Sequence, residues 1–274
     1  MNKLLIVDGF NLLWRAYFGF PTRIKNKSGF DITAPFGFFA LLRADAIKIG
    51  PELRIIVCFD GQLGSDEKRK ALPEYKSNRP DDGPEVLHYL TQVKDGLDRI
   101  GVPWLEFQDT EADQLIASLA AHFSPENEVI ILSNDKDFYQ LLDEKITIWN
   151  GSGQKIIDAD DLREKFGILP FQWPEFVSLV GDKSDNISGI SGIGKVKASR
   201  LLSEFGSIMD IIDDQAINSE VLSAIRREKE RFMMNIEIVE LSAHSNRTFN
   251  VRASPLKTHE IETAGLVMNM IGLG

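Results

Sequence analysis

The stretch GDKSDNISGISGIGK, residues 181–195, sets two carboxylates, Asp182 and Asp185, three residues apart, immediately before a turn with three glycines, Gly189, Gly192 and Gly194. The turn feeds a helix-like run, KVKASRLLSEF, and Lys195, Lys197 and Arg200 surround that point with cations. Backbone without Cβ atoms lets N–H groups come close to an anion, and the start of a helix adds the positive end of its dipole. Metal chemistry and phosphate binding thus stand side by side. Residues 189–196 also read G-x-x-x-x-G-K-V, one residue short of a nucleotide-binding P-loop, but Val196 stands where the magnesium-ligating hydroxyl is needed and no apolar strand precedes it. A hairpin between two helices, PEFVSLV before and KVKASRLL after, gripping a nucleic-acid backbone through its amides, describes the pattern better. An ordinary glycine-rich turn between core helices is the plain alternative.

Outward from the hairpin, apolar runs of strand length end repeatedly in acids. Lys3 to Val7 is followed by Asp8-Gly9 and a helical run, NLLWRAYF; RIIVCF is followed by Asp60-Gly61; EVIILSN is followed by Asp135 and Asp137. Glu111 and Asp113 fall in the first turn of the apolar-periodic helix that follows VPWLEF. An acid at a strand end can simply cap the next helix, and acids in a first turn are favoured by the helix dipole without any metal. A phosphatase nucleophile at Asp8 would want a second acid two residues on, where Phe10 stands. Strands alternating with helices predict a parallel sheet with helices on its faces and its carboxyl edges aligned. On such an edge Asp8, Asp60, Glu111, Asp113, Asp135, Asp137, Asp182 and Asp185 converge. Two like charges about 4 Å apart repel by roughly 4 kcal/mol at an effective dielectric near 20, so the cluster calls for cations. All-oxygen ligation points to magnesium or manganese.

Between Gly61 and Gly83 the run KRKALPEYKSNRPDD is basic, broken by Pro73 and Pro80. It reads either as a solvated surface loop or as an arch whose Lys68, Arg69, Lys76 and Arg79 meet phosphates while Tyr75 offers a face to a base. The division expected is an α/β part over 1–165 with the arch at about 61–83, then a mostly helical DNA-binding part over 166–274 with the hairpin motif at about 174–205. The segment from Arg247 onward carries little functional signal.

The chain has 274 residues, 43% of them hydrophobic, and a net charge of −10. That length can bury a sizeable core. The negative charge opposes association with phosphates unless the acids hold cations. A single cysteine, Cys58, lies in an apolar run, which excludes a disulfide framework and a cysteine metal site and fits a reducing cytoplasmic setting. The apolar LLIV run is too short for a signal peptide or a membrane span.

Taken together, VDGFNLLWRAYF, FDG with the downstream YKSNRP, TEADQLIA, LSNDKDFYQLL and GDKSDNISGISGIG resemble the 5′ nuclease family of flap endonucleases and 5′-3′ exonucleases. Within the family the chain looks most like the bacterial type found at the N-terminus of DNA polymerase I, and a standalone form is expected. The resemblance implies a PIN-like α/β core, a helical arch and a helix-hairpin-helix around Gly192 to Lys195. It implies one group of magnesium ligands in Asp8, Asp60, Glu111 and Asp113 and another in Asp135, Asp137, Asp182 and Asp185. Lys76 and Arg79 match the family's basic arch residues, with a catalytic role; Lys68, Arg69, Tyr75, Gly192, Gly194, Lys195 and Lys197 are expected to contact DNA. It also implies magnesium ions, replaceable by manganese, a potassium ion at the hairpin, and branched or flapped DNA as partner. A nuclease acting mainly on RNA or RNA-DNA hybrids and a non-catalytic junction scaffold of the same fold are the alternatives. One departure supports the scaffold: bacterial members usually read EADD, and Gln114 stands in place of the last acid.

Overall fold

The computed structural model describes residues 2–64, 66–78, 86–214, 216–217, 219–241 and 251–274. Strand β1 (Asn2–Asp8) is buried on both faces, so it reads as a continuous apolar run, with Leu4 and Ile6 entering one apolar cluster and Leu5 and Val7 the other. Strand β2 (Glu52–Phe59) runs parallel beside it with Asp8 opposite Cys58, and β4 (Asn127–Leu132) runs parallel on the other side with Val7 opposite Leu132. Outside these lie β3 (Trp104–Glu106), parallel to β2, and β5 (Ile146–Asn150), parallel to β4. An antiparallel strand β6 (Lys155–Ile157) closes that side. The order β3-β2-β1-β4-β5-β6 reverses direction between β1 and β4. Ligands of such sheets bind outside the carboxyl ends at this switch point.

One face is covered by helices Gly9–Gly19, Thr33–Ile49 and Leu90–Arg99, whose Leu12, Leu13, Phe38, Phe39, Val93 and Leu97 are buried. Truncating a fully buried phenylalanine such as Phe38 costs about 3–5 kcal/mol. The other face carries helix Ala112–Phe123 and continues without a break into the second half of the chain: Leu4 and Ile6 share an apolar cluster with Trp173, Phe176, Ala198, Leu202 and Phe232. The hairpin therefore grows out of the same core that supports the strand-end acids.

Helix Trp173–Val180 leads into a two-stranded antiparallel ribbon, β7 (Gly181–Asp182) and β8 (Ile187–Ser188), and helix Lys195–Phe205 follows the glycine turn. The ribbon's ends press together so closely that a Cβ on Gly189 would lie 2.4 Å from the carbonyl carbon of Val180. Asn235, buried, staples the motif by donating from Nδ2 to the carbonyls of Ser178 (3.1 Å) and Ser188 (2.8 Å).

The mostly helical expectation for 166–274 leaves out the β7–β8 ribbon and one further strand. Strand β9 (Leu256–Lys257) pairs antiparallel with the start of β2, Glu52 opposite Lys257, and helix Ala264–Met270 buries Val267 and Met268 in the cluster that holds Leu5 and Val7. The tail is thus part of the sheet's packing. In the charged run, residues 66–71 form a short helix and 72–78 successive turns; Arg79 lies outside the described residues. Among the described residues no helix is long and apolar enough to cross a membrane.

Candidate active site

Asp8 caps the helix that follows it, accepting from the Asn11 amide at 3.0 Å. Its second oxygen accepts from the Ser133 hydroxyl (2.8 Å), and the Ser133 Oγ in turn accepts from the Asp135 amide (3.1 Å). Ser133 thereby fastens the ends of β1 and β4 together at the switch point. Asp60 Oδ1 accepts from the Ala112 amide (2.6 Å), which brings Glu111, in the cap position, and Asp113, in the first turn, alongside the end of β2. Asp135 Oδ1 accepts from the Asp137 amide (3.0 Å). Capping, the plain reading of these acids, holds for Asp8, and it coexists with their convergence.

The electrostatics reflect the mutual proximity of these acids. Burial pushes the Asp8 carboxyl up to about 7, with the charges of Asp60 and Asp135 adding to it against the hydrogen bonds from Asn11 and Ser133. Burial lifts Asp60 to about 6, aided by Asp113 and Glu111 and opposed by the Ala112 amide and Lys76. Asp135 is open to solvent on one side and crowded by protein on the others, and that burial, with the charges of Asp185 and Asp113, raises its carboxyl. Asp137 is held well above the ordinary carboxylate range by burial and then by Asp135, Asp185 and Asp113. Asp185, 7% exposed, therefore acts on the same acids from the hairpin side. Asp182 is engaged differently: its Oδ1 accepts from the amide and hydroxyl of Ser184.

Two lysines of the charged run enter this edge. Lys68 Nζ lies 2.6 Å from Glu111 Oε2 and 3.3 Å from Asp113 Oδ2, and Lys76 Nζ lies 3.1 Å from Glu111 Oε1. Burial would lower the Lys68 ammonium, but Asp113, Tyr75 and Glu111 outweigh it and hold it firmly charged. Burial would raise Glu111, but Lys76 and Lys68 outweigh it and bring it below its ordinary value. Tyr75 departs from the expected stacking platform: it is 3% exposed, with Lys76 Nζ 4.7 Å and Lys68 Nζ 5.6 Å from its ring centroid, so it offers no face to a base here. Arg69 is exposed.

At the hairpin, Gly192 takes a left-handed φ of +77°, a conformation that favours glycine, and Gly194 is the N-cap of the following helix. Both, with Lys195 and Lys197, are exposed. Lys197 Nζ donates to the Gly192 carbonyl at 2.9 Å. Lys195 lines a cavity of about 670 Å³ together with Asp182, Lys183 and Lys136, and this cavity lies between the hairpin and the loop after β4.

The donor set fits a hard divalent cation: every candidate ligand is a carboxylate, and four of them carry raised pKa values that excess negative charge explains in part. Among the described residues no three of these side chains stand close enough to hold one ion, so the acids form an open edge rather than a closed shell. Gln114 lines a cleft together with Lys68 and Glu111. Its Nε2 donates to the Glu240 carbonyl at 3.1 Å, tying helix Ala112–Phe123 to the end of helix Lys229–Val239. The sequence reading passed over Ser133; a hydroxyl at the end of a buried strand, two residues before an acid, is the signal that marks it.

Fold and site together define a class: a parallel α/β domain with an acidic carboxyl edge, continued by a helical domain with an exposed glycine hairpin. Residues 3–167 match the 5′-3′ exonuclease N-terminal resolvase-like domain, and residues 168–263 match the 5′-3′ exonuclease C-terminal SAM fold. The chain belongs to the 5′-3′ exonuclease family and is an enzyme of that class. It is 33% identical over 213 residues to a 5′-3′ exonuclease of Aquifex aeolicus, covering 77% of this chain and 73% of the relative. It is 32% identical over 248 residues to DNA polymerase I of Borreliella burgdorferi, covering 88% of this chain but only 27% of the polymerase. Among solved structures, the T5 D15 protein co-crystallised with metal ions shares the fold, with a TM-score of 0.71 at 22% identity over 88% of this chain and 90% of that one.

Proposed function

We propose that this chain is a structure-directed, divalent-metal-dependent phosphodiesterase that cleaves DNA at or near 5′ ends and flaps. The convergence of raised-pKa carboxylates at the switch point, beside an exposed glycine hairpin, carries this reading. Magnesium ions, with manganese as substitute, held by Asp8, Asp60, Glu111, Asp113, Asp135, Asp137, Asp182 and Asp185, would supply the electrophilic charge for attack of water on the scissile phosphate. The chain's own residues do the rest. Ser133 orients Asp8 and Asp135. Lys68 and Lys76 hold positive charge at Glu111 and Asp113 and present it to the incoming phosphate, with Arg69 and Arg79 as further cations of the same basic run. The amides around Gly192 and Gly194, with Lys195 and Lys197, grip duplex backbone. A potassium ion at the hairpin would be held by backbone carbonyls of the turn, of which that of Gly192 accepts from Lys197 Nζ in this structure. Contacts to backbone make junction shape, not base sequence, the determinant.

The Nε2 of Gln114, the one feature favouring a non-catalytic scaffold, is committed to the Glu240 carbonyl, which supports a structural role for this side chain. A cytoplasmic setting is part of this proposal. Incubation of an end-labelled 5′-flap duplex with the protein tests the reading: cleavage in magnesium that stops with chelator supports it, and no cleavage in magnesium or manganese overturns it.

A further inference from the structure

Two turns far apart in the chain are stitched together beside the acid edge. Asn186 donates from Nδ2 to the Glu74 carbonyl (2.9 Å) and to Ser77 Oγ (3.1 Å). In the opposite sense, Asn78 Nδ2 donates to the Lys183 carbonyl (2.7 Å), and the Lys76 amide donates to the Asp185 carbonyl (3.0 Å). The two residues at the heart of this contact are both left-handed, Lys76 at φ 55° and Asn186 at φ 57°. Asparagine visits that region readily, whereas lysine does so rarely and is held there only where its surroundings over-determine it. The surroundings here are the clamp itself. Its consequence is the placement of one amine: from this backbone, Lys76 Nζ reaches Glu111 Oε1 at 3.1 Å.

We propose that Asn186 and Asn78 are positioning residues, which clamp the turn carrying Lys76 onto the loop that opens the hairpin and so set the Lys76 ammonium at the acid edge. The loop between Gly181 and Ser188 is continuous with the glycine turn, and the turn 72–78 is continuous with the basic run. The clamp makes them one unit, so that the element proposed to grip duplex and the amine proposed to meet the scissile phosphate keep a fixed separation. In its catalytic consequence this inference rests on the nuclease reading above; the clamp itself does not.

The test uses the full chain with Asn186→Asp, whose carboxylate tolerates the same backbone but cannot donate to the Glu74 carbonyl, and with Asn78→Ala, an exposed position, as the second variant. In metal-free protein, amide hydrogen exchange across residues 74–78 is expected to quicken at least tenfold in either variant, on the order seen when a local contact opens. Single-turnover cleavage of a 5′-flap duplex in magnesium, at saturating protein, is expected to fall about tenfold in the Asn186→Asp variant and less than twofold when the same change is made in a Lys76→Ala background. Duplex affinity in calcium should stay within about twofold. Unchanged exchange overturns the clamp, and an equal loss of rate in both backgrounds overturns the positioning of Lys76 through it. If the wild-type chain cleaves nothing, the nuclease reading falls while the exchange arm still decides the clamp.

Discussion

Asp135 carries its charge in a crowd: its amide leans on Ser133, its carboxylate accepts from Asp137, and Asp185 and Asp113 press on it electrostatically. Asp135→Asn keeps the shape and removes the charge. Cleavage in magnesium should be lost, while duplex affinity measured in calcium stays near wild type, because the hairpin is untouched. Residual cleavage within about tenfold, roughly 1.4 kcal/mol in barrier, would take Asp135 out of the site. Gln114 is the contrasting residue. Its amide serves the Glu240 carbonyl, a role that a carboxylate cannot fill. Gln114→Asp should therefore lower stability by about 1 kcal/mol, the typical net worth of a hydrogen bond, and alter the cleavage rate by less than tenfold. Urea denaturation and a cleavage assay check the two halves. An inert wild type with a Gln114→Asp variant that gains metal-dependent cleavage would restore the scaffold reading.

Between elements, the proposed function divides the work between the hairpin and the charged run. Lys195 is exposed at the first turn of its helix, next to a glycine turn whose Ser191 amide donates to Glu228 Oε1 at 3.1 Å, whereas Lys76 is packed among Tyr75 and Glu111. Lys195→Ala should weaken binding to every duplex and make the slope of log affinity against log salt shallower by about one, as expected for one lost phosphate contact. Lys76→Ala should act on the single-turnover rate with affinity little changed. Equal losses of affinity in both variants would contradict this division. The strand-end acids were legible in the sequence because each closes a buried apolar run, a local pattern. Tyr75 was not, because its burial comes from Lys68, Lys76 and a core assembled from distant segments. The Asn186 and Asn78 contacts join turns more than a hundred residues apart and leave no periodicity in either. The return of residues 256–270 to the sheet was missed for the same reason, since a two-residue strand has no pattern of its own.

Over the whole molecule, the acid edge costs stability when it lacks a cation. Asp8 titrates near 7 and Asp60 near 6 in the folded chain, against 3.8 for an unperturbed aspartate, and burial is the main cause in both. Between those values the folded chain holds protons that the unfolded chain has released, so stability falls as pH rises. These groups exact no penalty below about pH 4 and their full penalty above about pH 7. Thermal unfolding in chelator should show a melting temperature that declines from pH 5 to pH 8, and magnesium should flatten the decline. A melting temperature that climbs over that range in chelator would contradict the assignment of these carboxyls.

On the proposed reading, the acid edge and the hairpin make a single demand on substrate: duplex must be gripped for the strand beside it to be cut. Cleavage in magnesium of a 5′-labelled flap, compared as duplex junction and as the same strand alone, measures that demand directly. The junction should be cut near the branch point, and the unpaired strand should survive under the same conditions. Equal cleavage of both, or of neither, would contradict the account.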